Sequence, residues 1–146
     1  MFLFDTFEGF SAQDKKEESI INKYFVTSEY NSDTIFANTS IDFVMKKMIN
    51  PQNVIIKQGY FPKSAEGIND TFCFVNLDMD LFVPMLNGLR FFWEKLEAFG
   101  CILLHDYFVR NLLGVKAAVE AFEKERGIVI PKTPIGDGSS IALLKY

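Results

Sequence analysis

Basic charge, cysteine, histidine and long apolar runs are all scarce in this chain. Its 15 Lys and Arg against 19 Asp and Glu leave a formal charge of −4, so it carries no basic footprint for nucleic acid. No apolar stretch approaches the length of a membrane span, which excludes a membrane helix. The opening Met-Phe-Leu-Phe-Asp lacks the basic region of a secretory signal, so the chain is expected to be cytoplasmic. The two cysteines, Cys73 and Cys101, both fall inside apolar runs, where a thiol serves as a small buried hydrophobe rather than as half of a disulfide. No glycine-rich phosphate loop occurs, so any chemistry has to come from charged groups, a metal and what binds near them.

What is present is enough apolar material, 49% of 146 residues, for one domain with a sizeable core, residues 1–146. The centre of the pattern is Phe72–Phe108. Thr71–Leu77 and Cys101–Leu104 are short apolar runs without alternation, which predicts parallel strands covered on both faces. Between them Pro84, Met85, Leu86, Leu89, Phe92, Trp93, Leu96 and Phe99 recur at helical spacing, with Gly100 as terminator. Acids follow each strand: Asp78 and Asp80 after the first, Asp106 beside His105 after the second. The carboxyl edge of a parallel sheet is where ligands sit, and carboxylates gathered there suggest a cation site. The plain alternative is solvation of the strand ends.

Around this unit, Met1–Phe4 reads as a strand ending at Asp5, which either binds ribose hydroxyls or forms a turn or cap. Ser11–Asn38 has a charged patch and scattered aromatics without clean periodicity, as in a lid or insertion. Ser40–Ile49 predicts a short helix capped by Ser40, and Val54–Ile56 a further strand that gives way to Lys57–Gly59. Gly114–Arg126 predicts an amphipathic helix with a Glu120–Lys124 pair and Gly127 as its end. Val129–Ile130 and Ser140–Leu144, around a turn rich in Pro and Gly, predict a terminal antiparallel hairpin.

The segments DTFEG at 5–9, GYFP at 59–62, LDMDLF at 77–82 and HDY at 105–107, in this order of strands and helices, resemble the macrocin O-methyltransferase (TylF-like) family of class I S-adenosylmethionine-dependent methyltransferases. The resemblance spans nearly the whole chain but matches the C-terminal part of that family. It implies an α/β fold, a Rossmann-like three-layer sandwich, here truncated by the absence of the first strand and its glycine-rich turn, and ending in an antiparallel hairpin. It further implies methyl transfer to a hydroxyl of a sugar or small polyol. On the same basis Asp5, Thr6, Gly59 and Tyr60 would bind S-adenosylmethionine, Asp78, His105 and Asp106 would ligate a divalent ion, Mg²⁺ in the family, and Asp80 would take the hydroxyl proton.

Two departures from the family carry consequences. His105 stands where the family has an acid; an imidazole weakens a magnesium site and favours a softer ion, unless it only donates a hydrogen bond at the strand end. The family sheet order, three-two-one-four-five-seven-six, would put the absent strand between Phe2–Phe4 and Phe72–Leu77. The sequence therefore predicts that these two strands pair directly, or that a second copy covers the edge in a homo-oligomer. Without the glycine-rich turn the chain is expected to transfer methyl groups weakly or not at all. A non-catalytic, self-associating interaction protein is the second functional reading. A third is a metal-dependent phosphatase or sugar transferase using Asp78-x-Asp80, disfavoured because Phe82 stands where such phosphatases need a hydroxyl.

Overall fold

The chain is described by a computed structural model covering residues 1–146. The two central apolar runs pair in parallel: β3 (Phe72–Leu77) lies beside β4 (Leu96–Leu104), with Phe74 opposite Cys101 and Leu77 opposite Leu104. The helix between them, α3 (Phe82–Lys95), buries Met85, Leu86, Leu89 and Phe92 and has Pro84 in its first turn, where a missing N–H costs nothing. It stops four residues earlier than the apolar spacing predicts. Leu96 and Phe99 belong to β4, which follows without a loop, and Gly100 lies inside that strand. A side chain at Gly100 would put its Cβ 2.8 Å from the Glu97 carbonyl oxygen, so only glycine permits this tight path. Lys145 holds the break by donating to the carbonyls of Trp93 and Leu96 at 2.8 and 2.6 Å.

Beyond β4, α4 (Leu113–Arg126) buries Val115, Ala118, Val119 and Phe122 completely and packs on α3, where Trp93 and Phe122 meet edge to face. Gly127 ends it in the left-handed region, with the Ile128 N–H returning to the Glu123 carbonyl at 3.1 Å. The helical ion pair is Lys116–Glu120 rather than Glu120–Lys124. The expected hairpin forms, with its first arm shifted: β5 (Lys132–Pro134) pairs antiparallel with β6 (Ile141–Leu144), and β6 with β4. Ile130, expected in the first arm, is a core residue instead.

At the other end, β1 (Phe2–Asp5) and β2 (Ile55–Gln58) form a separate parallel pair. Between them, Ser11 caps a helix, α1 (Ala12–Ile21), where the sequence predicts an irregular lid. Its buried side chains are Asp14, Lys15 and Glu18, while Ile20 is exposed. A helix that turns charged residues inward has no apolar stripe to reveal it. Two short 3-10 turns, Phe25–Thr27 and Glu29–Asn31, follow. The predicted Ser40 cap is present on a short helix, α2 (Ile41–Met45).

The strands thus fall into two sheets, β1-β2 and β3-β4-β6-β5. β1 does not pair with β3, contrary to the first of the two alternatives the sequence raised. Nor is β3 covered along its length: Cys73 and Phe74 are exposed, and burial sets in only at Val75 and Leu77. Both thiols are free, but Cys73 is exposed and Cys101 half-buried, so the expected buried role fails where β3 lacks a neighbour.

Candidate active site

Parallel pairing with Leu77 opposite Leu104 sets the residues that follow side by side, and the His105 N–H donates to the Leu77 carbonyl at 2.9 Å. Asp78 and Asp106 consequently flank His105, with carboxylate oxygens 3.2 and 3.0 Å from its Nδ1. Ligand atoms of Asp78, His105 and Asp106 all lie within 4.8 Å of one another. The opposite ring nitrogen, Nε2, is 3.3 Å from Ser139 Oγ, which fixes the ring so that Nδ1 faces the acids. Asp80 and Asp106 both sit at positive φ, 58° and 59°, a region that Asp tolerates better than most residues and that recurs at functional sites.

These neighbours shift one another. Burial pushes Asp80 up to about 8, aided by its hydrogen bond with Asp106 and by the charges of Asp78 and Asp106. Burial also raises Asp78, against the pull of His105. For His105 burial works downward, but the Asp106 hydrogen bond and the surrounding carboxylates outweigh it, and the net shift is upward. Tyr30 is raised by burial and by the charges of Asp106 and Asp80.

Asp78 also lines a cavity of about 400 Å³, within the range of small-molecule sites. Asp5, Thr6, Gly59 and Tyr60 line the same cavity, because parallel pairing of β1 and β2 brings their carboxyl ends together and the Gly59 N–H donates to the Asp5 carbonyl at 3.0 Å. Asp5 does make the turn considered from sequence: its Oδ1 accepts from the Phe7 N–H at 2.7 Å. It does so while facing the cavity, so turn and lining are not exclusive. The Tyr60 hydroxyl donates to Asp14 at 2.7 Å, and burial together with that carboxylate pushes Tyr60 up to about 12.

The donor set fits a divalent cation. His105 Nδ1 lies between the Asp78 and Asp106 carboxylates, and cis ligands about 2.1 Å from one ion stand about 3 Å apart, close to the spacings found. Mixed imidazole and carboxylate donors suit manganese, iron or zinc better than magnesium. A ribose-bearing cofactor fits the cavity through Asp5, whose second oxygen is not used by the turn.

The sequence singles out Asp78, His105 and Asp106, which the structure sets side by side, but does not single out Glu18 or Asp14. Glu18 is fully buried and accepts the N–H of Phe82 at 2.9 Å and of Gly114 at 3.0 Å, the first turns of α3 and α4. The one available signal was Gly114 at a helix start: a Cβ there would stand 1.9 Å from Glu18 Oε2.

The sequence profile of the macrocin-O-methyltransferase (TylF) family matches residues 1–141. Two solved structures share the fold: the O-methyltransferase NovP, at 19% identity and a TM-score of 0.73, and CalS11, a calicheamicin methyltransferase, at 16% and 0.70. Each comparison covers 99% of this chain and 59% of the other, so the chain spans well under two thirds of either relative's length. No curated protein sequence matches.

Proposed function

Because the chain belongs to the macrocin-O-methyltransferase (TylF) family, we propose that it serves S-adenosylmethionine-dependent methyl transfer to a hydroxyl of a sugar or small polyol. In this reading Asp5 and Thr6, with Gly59 and Tyr60, hold the nucleoside end of the cofactor, and Asp78, His105 and Asp106 hold a divalent ion. When bound, the cofactor supplies an electrophilic sulfonium methyl and the ion lowers the pKa of the acceptor hydroxyl. Asp80 takes the hydroxyl proton onto its carboxylate. The environment that raises it makes it a stronger base than an exposed Asp once ionised.

The observation that carries this reading is Asp78, which belongs at once to the acid cluster and to the wall of the cavity. A cofactor in that cavity and a hydroxyl at the cluster would then be neighbours, as transfer requires. The test is a titration with millimolar S-adenosylmethionine followed by amide shifts, expected at Asp5, Thr6, Gly59 and Tyr60. A radiolabelled transfer assay on a panel of sugars and polyols accompanies it, with Asp80→Asn expected to lose transfer while cofactor shifts persist. Shifts confined to other residues, or unchanged transfer by Asp80→Asn, would refute the assignment. Residues 1–146 alone are expected to bind the cofactor weakly, since they contain no glycine-rich turn to cradle its methionine part; micromolar affinity would contradict this.

A self-associating, non-catalytic role is the second reading, favoured by the exposed Phe74 on the open edge of β3. Sedimentation that changes with protein concentration would support it. No helix is long and apolar enough to cross a membrane. With the acidic balance of the chain, this accords with a cytoplasmic protein whose partners are small molecules rather than nucleic acid.

A further inference from the structure

We infer that Asp14 determines which base the cavity accepts. With Ser11 and Tyr60 it forms a junction in the cavity wall that offers hydrogen-bond acceptors and no donor, a match for a purine bearing an exocyclic amino group. The inference rests on the cofactor reading above and adds to it a residue from α1, which no strand end supplies.

Asp14 is only 3% exposed, yet no cation pairs with it; its neighbour Lys15 pairs with Asp33 instead. Hydroxyls meet its carboxylate: Oδ1 accepts from the Tyr60 phenol at 2.7 Å and Oδ2 from Ser11 Oγ at 2.7 Å. Ser11 Oγ in turn accepts the Asp14 N–H at 3.1 Å, as the cap of α1. In a cap of this spacing the acid ordinarily reaches back to the backbone N–H of the capping serine. Asp14 instead reaches across 46 residues of sequence to Tyr60, so capping alone does not account for the carboxylate.

The consequence is one of direction. A carboxylate accepts and does not donate, so it takes up the single proton of each hydroxyl. The phenol keeps that proton at neutral pH, because burial and Asp14 push it up to about 12. Ser11, Asp14 and Tyr60 all line the cavity of about 400 Å³, and Ser11 and Tyr60 also line an adjoining one of about 220 Å³ with Glu8 and Gln58. The junction thus faces open space with spare lone pairs and no free hydroxyl proton. A purine amino group brings N–H donors to such a wall, whereas a keto oxygen in its place sets acceptor against acceptor. Adenosine and inosine differ at this position and present the same ribose to Asp5.

The probes are these two nucleosides, each titrated at millimolar concentration into residues 1–146 and followed by amide shifts at Thr6, Gly59 and Tyr60. Adenosine is expected to bind about tenfold more tightly than inosine, the worth of one hydrogen bond. Asp14→Asn keeps the size of the side chain but introduces an N–H donor, and is expected to bring the two nucleosides within about twofold of each other. A general loosening of the cavity would weaken both alike and leave their ratio unchanged. Should Asp14→Asn fail to fold, Tyr60→Phe, which removes only the phenol oxygen, takes its place and is expected to narrow the preference in the same sense. Equal affinity of the two nucleosides for the unsubstituted chain, or a preference that survives the substitution, overturns the inference and leaves the cofactor reading standing. Absence of shifts with both nucleosides overturns the two together.

Discussion

Glu18 and Gly114 form a pair whose energetics can be worked out in advance. The carboxylate reaches from α1 to the first N–H groups of two helices, donors that have no partner within their own helices. Removing it by Glu18→Ala leaves both N–H groups buried and unpaired, at about 1–3 kcal/mol each, so a loss of about 2–6 kcal/mol is expected. Gly114→Ala reaches the same end from the other side. Its Cβ would overlap Oε2 at 1.9 Å and the carboxyl carbon at 2.5 Å. Glu18 has to withdraw, and the same two bonds go with it.

The informative measurement is the double variant. Once the carboxylate is gone, nothing opposes a methyl group at position 114, and Ala exceeds Gly in a helix by about 1 kcal/mol. Glu18→Ala/Gly114→Ala should therefore be at least as stable as Glu18→Ala alone, giving a coupling of about 3 kcal/mol, at the upper end for neighbouring residues. Urea unfolding of the four proteins measures it. Additivity within about 0.5 kcal/mol would mean that the two residues do not share a site, and the account of how α1 ties down α3 and α4 would be lost.

Three further outcomes are expected. Burial raises the Glu18 carboxyl above its ordinary 4.5, against the opposing Phe82 and Gly114 amides. The folded chain therefore holds this proton to higher pH than the unfolded chain, and stability falls as pH rises from about 4.5 through the raised value. Its slope is at most about 1.4 kcal/mol per pH unit. In Glu18→Gln this component disappears, as paired unfolding curves across that window would register; a parallel pH dependence in the two proteins would exclude it. His105→Asp should shift the cluster's preference from Mn²⁺ toward Mg²⁺ in a competition titration, by replacing its one nitrogen donor with oxygen; an unchanged ratio would remove His105 from the ligand set. Lys145→Met should cost about 1–2 kcal/mol in urea unfolding by freeing the carbonyls at the end of α3, and a neutral result would discount that cap.

Legibility in the sequence followed what drives each element. The strands and helices that bury apolar side chains, β3, β4, α3 and α4, announce themselves by spacing, and acids after β3 and β4 meet because parallel neighbours end together. Errors clustered where backbone geometry or charge decides instead. The end of α3 turns on Gly100 and on a lysine fifty residues away in sequence, neither of which alters the apolar period that continues through Leu96 and Phe99. α1 is held by a carboxylate that pairs with helix termini unknown until the fold is assembled, so its inward face reads as a solvated one.

The same reasoning explains why β3 was misjudged in one half only. Continuous apolar runs signal strands flanked on both sides, and Phe72–Leu77 has the composition of a central strand. In its second half Val75 and Leu77 are buried, but Cys73, Phe74 and Asn76 stand exposed on a strand whose outer edge pairs with no other. An apolar run without alternation reports the composition of a strand and not how many neighbours it has, so it cannot tell an edge from the middle of a sheet.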